Sequence, residues 1–377
     1  MNHYATIIIG GGTMGTAAAW ELGKRGERAL VLEQFGHVHT NGSHSGQTRV
    51  IRHPYAEGAD YIPLVLRADD LWVELEQITD QVLLHRVGGL ELAAPGYHHA
   101  ERARASAAEH SVPFEWIDAD EVQSRWPTFR IPAGWQAGFG PRSGFLAVEP
   151  GLRAMAAEAR KMNVEIREYE PVLGWGASAE GVWVDTHRGR STADRLIITA
   201  GAWADKVLAE LGLPFTVLRK VLWWLEVEEP ERFAPERFPV FVTDSDFGEI
   251  YGFPIFGQPG FKIAVHSGGI PTTTESVNRT ADDREKAEVV PAAQAFFPGV
   301  TGRVVNRAVC LYTNTPDGHF IIDRHPEWPN VVIGAGFSGH GFKFAPAIGE
   351  HLVNLAYDTA AQPYSILALD RFAALAR

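Results

Sequence analysis

One cysteine, Cys310, stands alone among 377 residues, so no intramolecular disulfide can form and the chain suits a reducing compartment. No run reaches the roughly 20 uninterrupted apolar residues that a membrane span needs. The uncharged stretch 5–20 is no secretory signal, because Gly10, Gly11, Gly12 and Gly15 interrupt it and no lysine or arginine precedes it. Basic residues are in deficit: 34 Lys and Arg against 46 Asp and Glu leave a net charge of −12. That argues against a general nucleic-acid or acidic-membrane surface, though not against one local basic cleft. No Gly-x-Ser-x-Gly hydrolase turn occurs, and the 15 histidines are scattered, with His98-His99 read as part of a turn. No metal is expected, and the chain reads as a cytoplasmic protein acting on small molecules.

What is present is globular: 45% apolar and 21% charged residues, with length enough for two domains. Thr6-Ile7-Ile8-Ile9 is a β-branched run of the kind that forms a buried parallel strand. Residues 13–25 set Met14, Ala17, Ala18 and Leu22 at helical spacing, and a second strand covers 28–33, making a βαβ unit. A further amphipathic helix is predicted from Ile62 to Gln77 and a charged one over 101–109. Residues 216–314 alternate aromatic and aliphatic positions as an antiparallel sheet does; Trp223 and Trp224 should then face opposite sides, one of them core. The last sixty residues return to strand (331–333), glycine turn and helix, with Ala345, Ile348, Leu352 and Leu355 on one face. The expected class is α/β: a discontinuous Rossmann-like domain from 1–85, 145–215 and 315–377, plus an inserted α+β substrate domain from 86–144 and 216–314 with an antiparallel sheet.

Gly10-x-Gly12-x-x-Gly15, with Thr13 and Met14 opening the helix, is the dinucleotide fingerprint in its proper strand–turn–helix setting. The first glycine permits the turn, the second lets the backbone approach a pyrophosphate, and the third lets helix and strand pack. Glu33 ends the next strand, where its carboxylate can hold ribose hydroxyls. This motif does not separate NAD from FAD. A second glycine segment, 334–341, again lies between strand and helix, and a third small-residue strand end, 198–203, contains Gly201. A second helix tip can face the pyrimidine end of a flavin, where reduction places negative charge.

The segments Gly42-Ser43-His44, Thr48-Arg49-Val50-Ile51-Arg52-His53, Cys310-Leu311-Tyr312-Thr313, His319-Phe320-Ile321-Ile322-Asp323 and Gly336-Phe337-Ser338-Gly339-His340-Gly341-Phe342-Lys343-Phe344 resemble the monomeric sarcosine oxidase family, with N-methyltryptophan oxidase similar too. The resemblance runs over nearly the whole chain. It implies FAD attached through a thioether from Cys310 to the flavin 8α carbon, with Arg49 supplying positive charge nearby. It further implies cofactor contacts from Gly10, Gly12, Thr13, Met14, Gly15, Glu33, Ser43, His44, Arg49, Val172, Gly201, Phe337, Gly339, Gly341 and Lys343. Arg52 and Lys343 would hold a substrate carboxylate, Tyr251, His266 and Tyr312 would line a polar pocket, and Lys262 would lie where oxygen reacts. The reaction implied is demethylation of sarcosine or a related N-alkyl amino acid. Its imine hydrolyses to formaldehyde and glycine, and O2 is reduced to hydrogen peroxide by a monomer without nucleic-acid or membrane partners. Alternatives are an oxidase for N-methyltryptophan or another bulkier N-alkyl amino acid, an NAD-dependent dehydrogenase, and a non-catalytic flavin protein.

Two residue-level arguments stand beside the resemblance. On a strand, positions 262, 264 and 266 share a face, so Lys262 and His266 are expected to point to one cavity. A lysine early in a helix opposes the dipole, which favours a ligand role for Lys343. There are two departures from the family pattern. Ser45 replaces a family histidine after the one matching His44, and Val242, by ungapped counting back from Tyr251, replaces a pocket methionine of sarcosine-specific members.

Overall fold

The computed structural model describes residues 3–372; the outermost residues of the expected dinucleotide domain, 1–2 and 373–377, lie outside it. The β-branched opening forms the strand His3–Ile9, whose residues Ile7 to Ile9 are buried. It pairs in parallel with Ala29–Leu32 on one side and with the end of Gly189–Ile198 on the other, setting Ile9 beside Leu32 and Ile198. Among the described residues this sheet runs Val172–Ser178, Gly181–Thr186, Gly189–Ile198, His3–Ile9, Ala29–Leu32 and Glu165–Arg167. Val331–Ala335 adds in parallel to Gly189–Ile198 and carries Ile321–Arg324. The C-terminal ends of three parallel strands therefore meet at Ile9, Ile198 and Ile333, the edge at which ligands bind in open α/β sheets.

Helices Thr13–Lys24, Val148–Lys161 and Ala345–Tyr357 cover one face. Small residues let the first and last cross closely: a Cβ on Gly349 would lie 2.5 Å from the Ala17 carbonyl carbon. The helix predicted from Ile62 runs Tyr61–Thr79 and buries Leu64, Leu71, Trp72 and Leu75.

The second large sheet orders Ile270–Pro271, Thr216–Val227, Phe261–Val265, Gly248–Phe253, Val240–Ser245, Gly89–Ala93, Gln136–Gly140 and Glu115–Asp118, with Val300–Asn314 against Thr216–Val227. It is antiparallel except where Val240–Ser245 meets Gly89–Ala93 in parallel. These two strands belong to segments far apart in the chain, so no hairpin dictates their direction. A three-stranded sheet of Thr48–Ile51, Gly144–Ala147 and Leu84–His85 completes the fold.

Two expectations are corrected. Trp223 and Trp224 do face opposite sides, but both are buried (0% and 3% exposed) because both faces of the sheet are covered. Trp223 joins the phenylalanine-rich core with Phe241, Phe261 and Phe297, and Trp224 packs with Leu222 and Ala264 on the other face. The helix expected from residue 101 begins at His99, so His99 is not in a turn. Its ring is buried with Nε2 3.0 Å from the Glu91 carboxylate, an ion-pair partner that local sequence does not disclose.

Candidate active site

Each glycine of the first turn does a separate physical task. Gly10 has φ +97°, and a Cβ there would come within 2.5 Å of the Thr199 carbonyl oxygen. A Cβ on Gly15 would lie 1.8 Å from the Gly10 carbonyl oxygen, so this glycine serves helix–strand packing and does not line the cavity. Gly12 has nothing within 4 Å of its absent Cβ; its open side faces the cavity. Glu33 accepts 2.9 Å hydrogen bonds from the amides of Gly11 and Phe35, and burial raises its pKa in spite of them.

A cavity of about 290 Å³ opens over this turn. It is lined by Gly10, Gly12, Thr13, Met14, Glu33, Ser43, His44, Arg49, Val172, Gly201, Phe337, Gly339 and Gly341, and also by Thr199 and Trp203 of the small-residue strand end 198–203 and by Thr313 of the Cys310 block. His44 lies buried there with Nε2 unpartnered, and burial lowers its pKa to about 3, so a neutral ring offers an unused nitrogen to the cavity. Open Gly12, the free amides of the following helix, the Glu33 carboxylate and the unpaired His44 nitrogen together suit a polar dinucleotide. Lys343 and Cys310 border a second cavity instead.

That second cavity measures about 60 Å³, the scale of a small amino acid. Arg49, Tyr312, Gly339 and Phe342 line both spaces, so the two share a wall. Arg52, Lys343, Val242, Tyr251, His266 and Cys310 line the smaller one, together with Glu57, Glu249 and His340. The last three carry no motif that marks them in the sequence, although His340 sits inside the quoted glycine block.

Lys343 occupies the 3₁₀ turn Phe342–Phe344 that precedes the final helix. Its Nζ donates to the His340 carbonyl (2.8 Å) and to Tyr55 Oη (3.2 Å). Tyr55 in turn bonds His340 Nδ1 at 2.7 Å, while His340 Nε2 meets the Gly318 carbonyl at 3.1 Å. A carbonyl requires a donor, which places the ring proton on Nε2 and makes Nδ1 the acceptor. This relay uses two of the three Lys343 N–H bonds and leaves one for the cavity. Burial, with Arg52 nearby, lowers the Lys343 pKa to about 7.

Arg52 is 6% exposed, and its Nη2 donates to Glu57 at 2.6 Å. Its Nη1 stands 3.3 Å from His99 Nε2 and 3.5 Å from Glu91. Burial alone would lower its pKa, but Glu57 and Glu91 outweigh burial and raise it, so the guanidinium is always charged. Glu57 is held below the usual carboxylate range: Arg52, His340, His99 and Lys343 overcome the cost of its burial. Glu249 goes the other way, raised by burial and by Glu57.

His266 Nδ1 lies 3.2 Å from Tyr312 Oη, and burial lowers its pKa to about 3. Burial pushes Tyr251 up to about 12 and Tyr312 well above its ordinary value. The cavity thus presents two protonated phenols and a neutral imidazole.

Lys262 lies on the strand Phe261–Val265 and His266 one residue past its end, and the two do not end in one cavity. Lys262 is 2% exposed and its ammonium is held by the Gly46 carbonyl, by the Thr48 carbonyl at 2.9 Å and by Thr48 Oγ1 at 2.9 Å. It lies 4.4 Å from the Phe253 ring and lines neither space, because the Gly46 carbonyl and two oxygens of Thr48 lie within its reach. Arg49 spans the same loop, donating to the carbonyls of Ser43 (2.8 Å) and Ser45 (2.7 Å). Ser45 donates to the Val309 carbonyl at 2.9 Å, tying this loop to the strand of Cys310. Cys310 is 1% exposed; burial raises its pKa while Arg49, Lys262 and Lys220 oppose that rise.

A dinucleotide cleft at the switch edge of a parallel sheet, sharing a wall with a small cation-lined cavity, suits an oxidoreductase that sets a dinucleotide cofactor beside a small carboxylate-bearing substrate. The family model described as FAD dependent oxidoreductase matches residues 5–355, and the chain belongs to that family. It is 38% identical over 359 residues to monomeric sarcosine oxidase of Bacillus sp. (strain B-0618), covering 94% of this chain and 92% of that one. It is 34% identical to N-methyl-L-tryptophan oxidase of Salmonella arizonae, covering 94% and 95% of the two chains. Among solved structures, the open form of NikD, an unusual amino acid oxidase essential for nikkomycin biosynthesis, superposes with a TM-score of 0.85 at 25% identity, covering 98% of each chain. The cofactor is FAD, and no helix of the described residues is long and apolar enough to cross a membrane.

Proposed function

We propose that the protein oxidises sarcosine or a related N-alkyl amino acid, acting as a cytoplasmic monomer with O2 as electron acceptor. The observation that carries this reading is the placement of Arg52 and Lys343 together on a small cavity that shares a wall with the dinucleotide cleft. A fork of guanidinium N–H bonds and one ammonium N–H fix an amino-acid carboxylate, which aims the N-alkyl carbon toward the shared wall of Arg49, Tyr312, Gly339 and Phe342. The cofactor contacts are those named above on the larger cavity, with Gly15 acting through packing. Bound FAD supplies the hydride acceptor and delivers the electrons to oxygen.

The remaining work belongs to the chain. The substrate nitrogen must lose its proton before oxidation; burial beside Arg52 and Lys343 favours the neutral amine. Neutral His266 and the phenols of Tyr251 and Tyr312 bracket the amine without adding charge. The cation at Lys262 serves oxygen, since a fixed positive charge stabilises superoxide as it forms. Cys310, on the wall of the smaller cavity, attaches the flavin at its 8α carbon, and Arg49 supports that bond with positive charge. Residues 1–85, 145–215 and 315–377 act as the flavin domain and 86–144 with 216–314 as the substrate domain.

The test is anaerobic mixing of the yellow enzyme with sarcosine. Bleaching near 450 nm, about where oxidised flavin absorbs, with formaldehyde after air is admitted, is expected. No bleaching with sarcosine, N-methyltryptophan or any N-alkylglycine removes the reading. A bulkier substrate is favoured by one observation: Val242, 6% exposed, lines the cavity where a longer side chain would narrow it. Turnover of N-alkylglycines above sarcosine would select this second version. Attachment is tested separately by acid precipitation, where wild type gives a yellow pellet and Cys310→Ala a colourless one.

A further inference from the structure

Lys220 is a buried cation that the reaction above does not use. It is 5% exposed and lies directly opposite Cys310 where Thr216–Val227 pairs with Val300–Asn314. Directly opposed residues of an antiparallel pair put their side chains on the same face. The stem of Lys220 therefore starts beside the thiol, and its ammonium ends 5.5 Å from the ring of Tyr312, two residues further along that face.

The ammonium is held by backbone alone. Nζ donates to the carbonyls of Ser267 (2.7 Å) and Gly268 (3.2 Å). Gly268 (φ +61°) and Gly269 (φ +126°) both adopt left-handed backbone that turns those carbonyls inward, and a Cβ on Gly269 would press within 3.0 Å of the Lys220 Cδ. Lys220 takes part in no salt bridge among the described residues. A cation held by neutral carbonyls keeps its field for its surroundings, whereas a paired one would lose most of it.

We propose that Lys220 is a positioning residue for flavin attachment, acting through Cys310 by holding a fixed positive charge beside the sulfur when it bonds to the cofactor. The inference rests on the attachment proposed above. The groups facing Cys310 are Arg49 from the small sheet, Lys262 from Phe261–Val265, Lys220 from the paired strand, and the phenols Tyr251 and Tyr312. The phenols are uncharged. Burial lowers the pKa of Lys262 and Lys220, while Glu288 and Glu249 favour the charged form of Lys220. Arg49 and the charge these two lysines keep therefore decide how readily the buried thiol gives up its proton. In the net step Cys310 Sγ–H and the flavin 8α methyl each lose one hydrogen and an S–C bond forms. Molecular oxygen takes both hydrogens with two electrons and leaves as hydrogen peroxide.

The experiment is a time course of acid-stable flavin after FAD is added to apoprotein, with FAD fluorescence quenching read in parallel for reversible binding. Lys220→Gln keeps a donor for the Ser267 and Gly268 carbonyls but removes the charge. It should bind FAD yet attach it about tenfold more slowly near pH 7, the effect of about one unit in thiol pKa, and regain the rate as pH rises. Lys220→Arg should attach at close to the wild-type rate. Attachment by Lys220→Gln at the wild-type rate and pH profile would overturn the inference, as would equal slowing in Gln and Arg variants at every pH, the mark of a purely packing role. If Lys220→Gln fails to fold, the Arg variant decides: a wild-type rate supports a charge role and a slowed rate at every pH removes it. A wild-type protein without acid-stable flavin would instead sink the attachment itself.

Discussion

The guanidinium of Arg52 lies 2.6 Å from the carboxylate of Glu57, so the cation assigned to the substrate already holds an anion. A substrate carboxylate must compete with Glu57, whose own charge persists because Arg52, His340, His99 and Lys343 keep its pKa low. Glu57→Gln should therefore tighten binding of a simple carboxylate inhibitor such as acetate by about tenfold, roughly 1.4 kcal/mol. Titration of the flavin spectrum with acetate measures this; unchanged affinity would show that Glu57 and the ligand do not compete.

Lys343 gives the site a pH dependence whose sign follows from burial. Its pKa is lowered to about 7, so the ammonium is present below that value and lost above it. Carboxylate affinity should fall with rising pH above about 7, by up to about tenfold per unit. Lys343→Arg should flatten this limb, because a guanidinium does not titrate in that range. A pH-independent inhibition constant in wild type would contradict the assignment.

Gly12 and Gly15 should fail in different ways when changed to alanine. At Gly12 the new methyl enters the cavity and meets no protein atom within 4 Å. FAD affinity should drop while the apoprotein Tm stays within about 2 °C. At Gly15 it meets the Gly10 carbonyl oxygen at 1.8 Å, so the apoprotein itself should lose about 5 °C or more, the scale of 1–3 kcal/mol of overpacking. Differential scanning calorimetry with and without FAD separates the two.

Lys262 is tied to the Gly46 carbonyl and to two oxygens of Thr48, next to Arg49, and lines neither of the two cavities. Lys262→Met should slow reoxidation by O2 at least about a hundredfold, a few kcal/mol of lost charge stabilisation, and affect anaerobic reduction by substrate far less. Stopped-flow measurement of each half-reaction decides; equal losses in both would assign the residue to structure alone.

Val242 borders the smaller cavity across the strand pair from Tyr251. Val242→Met should reduce kcat/KM for N-benzylglycine by about tenfold or more relative to sarcosine, because added methylenes in a filled pocket cost about 1–3 kcal/mol. Equal effects on both substrates would place the bulk elsewhere.

The glycine turn, the first strand and helix, and Glu33 were legible because they are local: backbone sterics and short-range periodicity act over a few residues. The quoted blocks around Arg49, Cys310 and Gly336 carried the rest of the expected site. Glu57, Glu91, Glu249 and His99 were not legible, since nothing in the spacing of residues 57, 91, 99 and 249 says that they converge on Arg52. The strand alternation expected for Lys262 and His266 stops at Val265, one residue short of His266, and it was silent about where a long side chain ends.

By itself the sequence determined a two-layered βαβ beginning, a dinucleotide turn, one thiol and a stock of cations, because each follows from the chemistry of neighbouring residues. Only the tertiary structure decided which cations are paired and which are free. Lys262 went to Gly46 and Thr48, Arg52 to Glu57 and Lys220 to two carbonyls, while Lys343 kept one N–H for the cavity. Charge pairing depends on distances across the fold, and those are set by how the sheets pack.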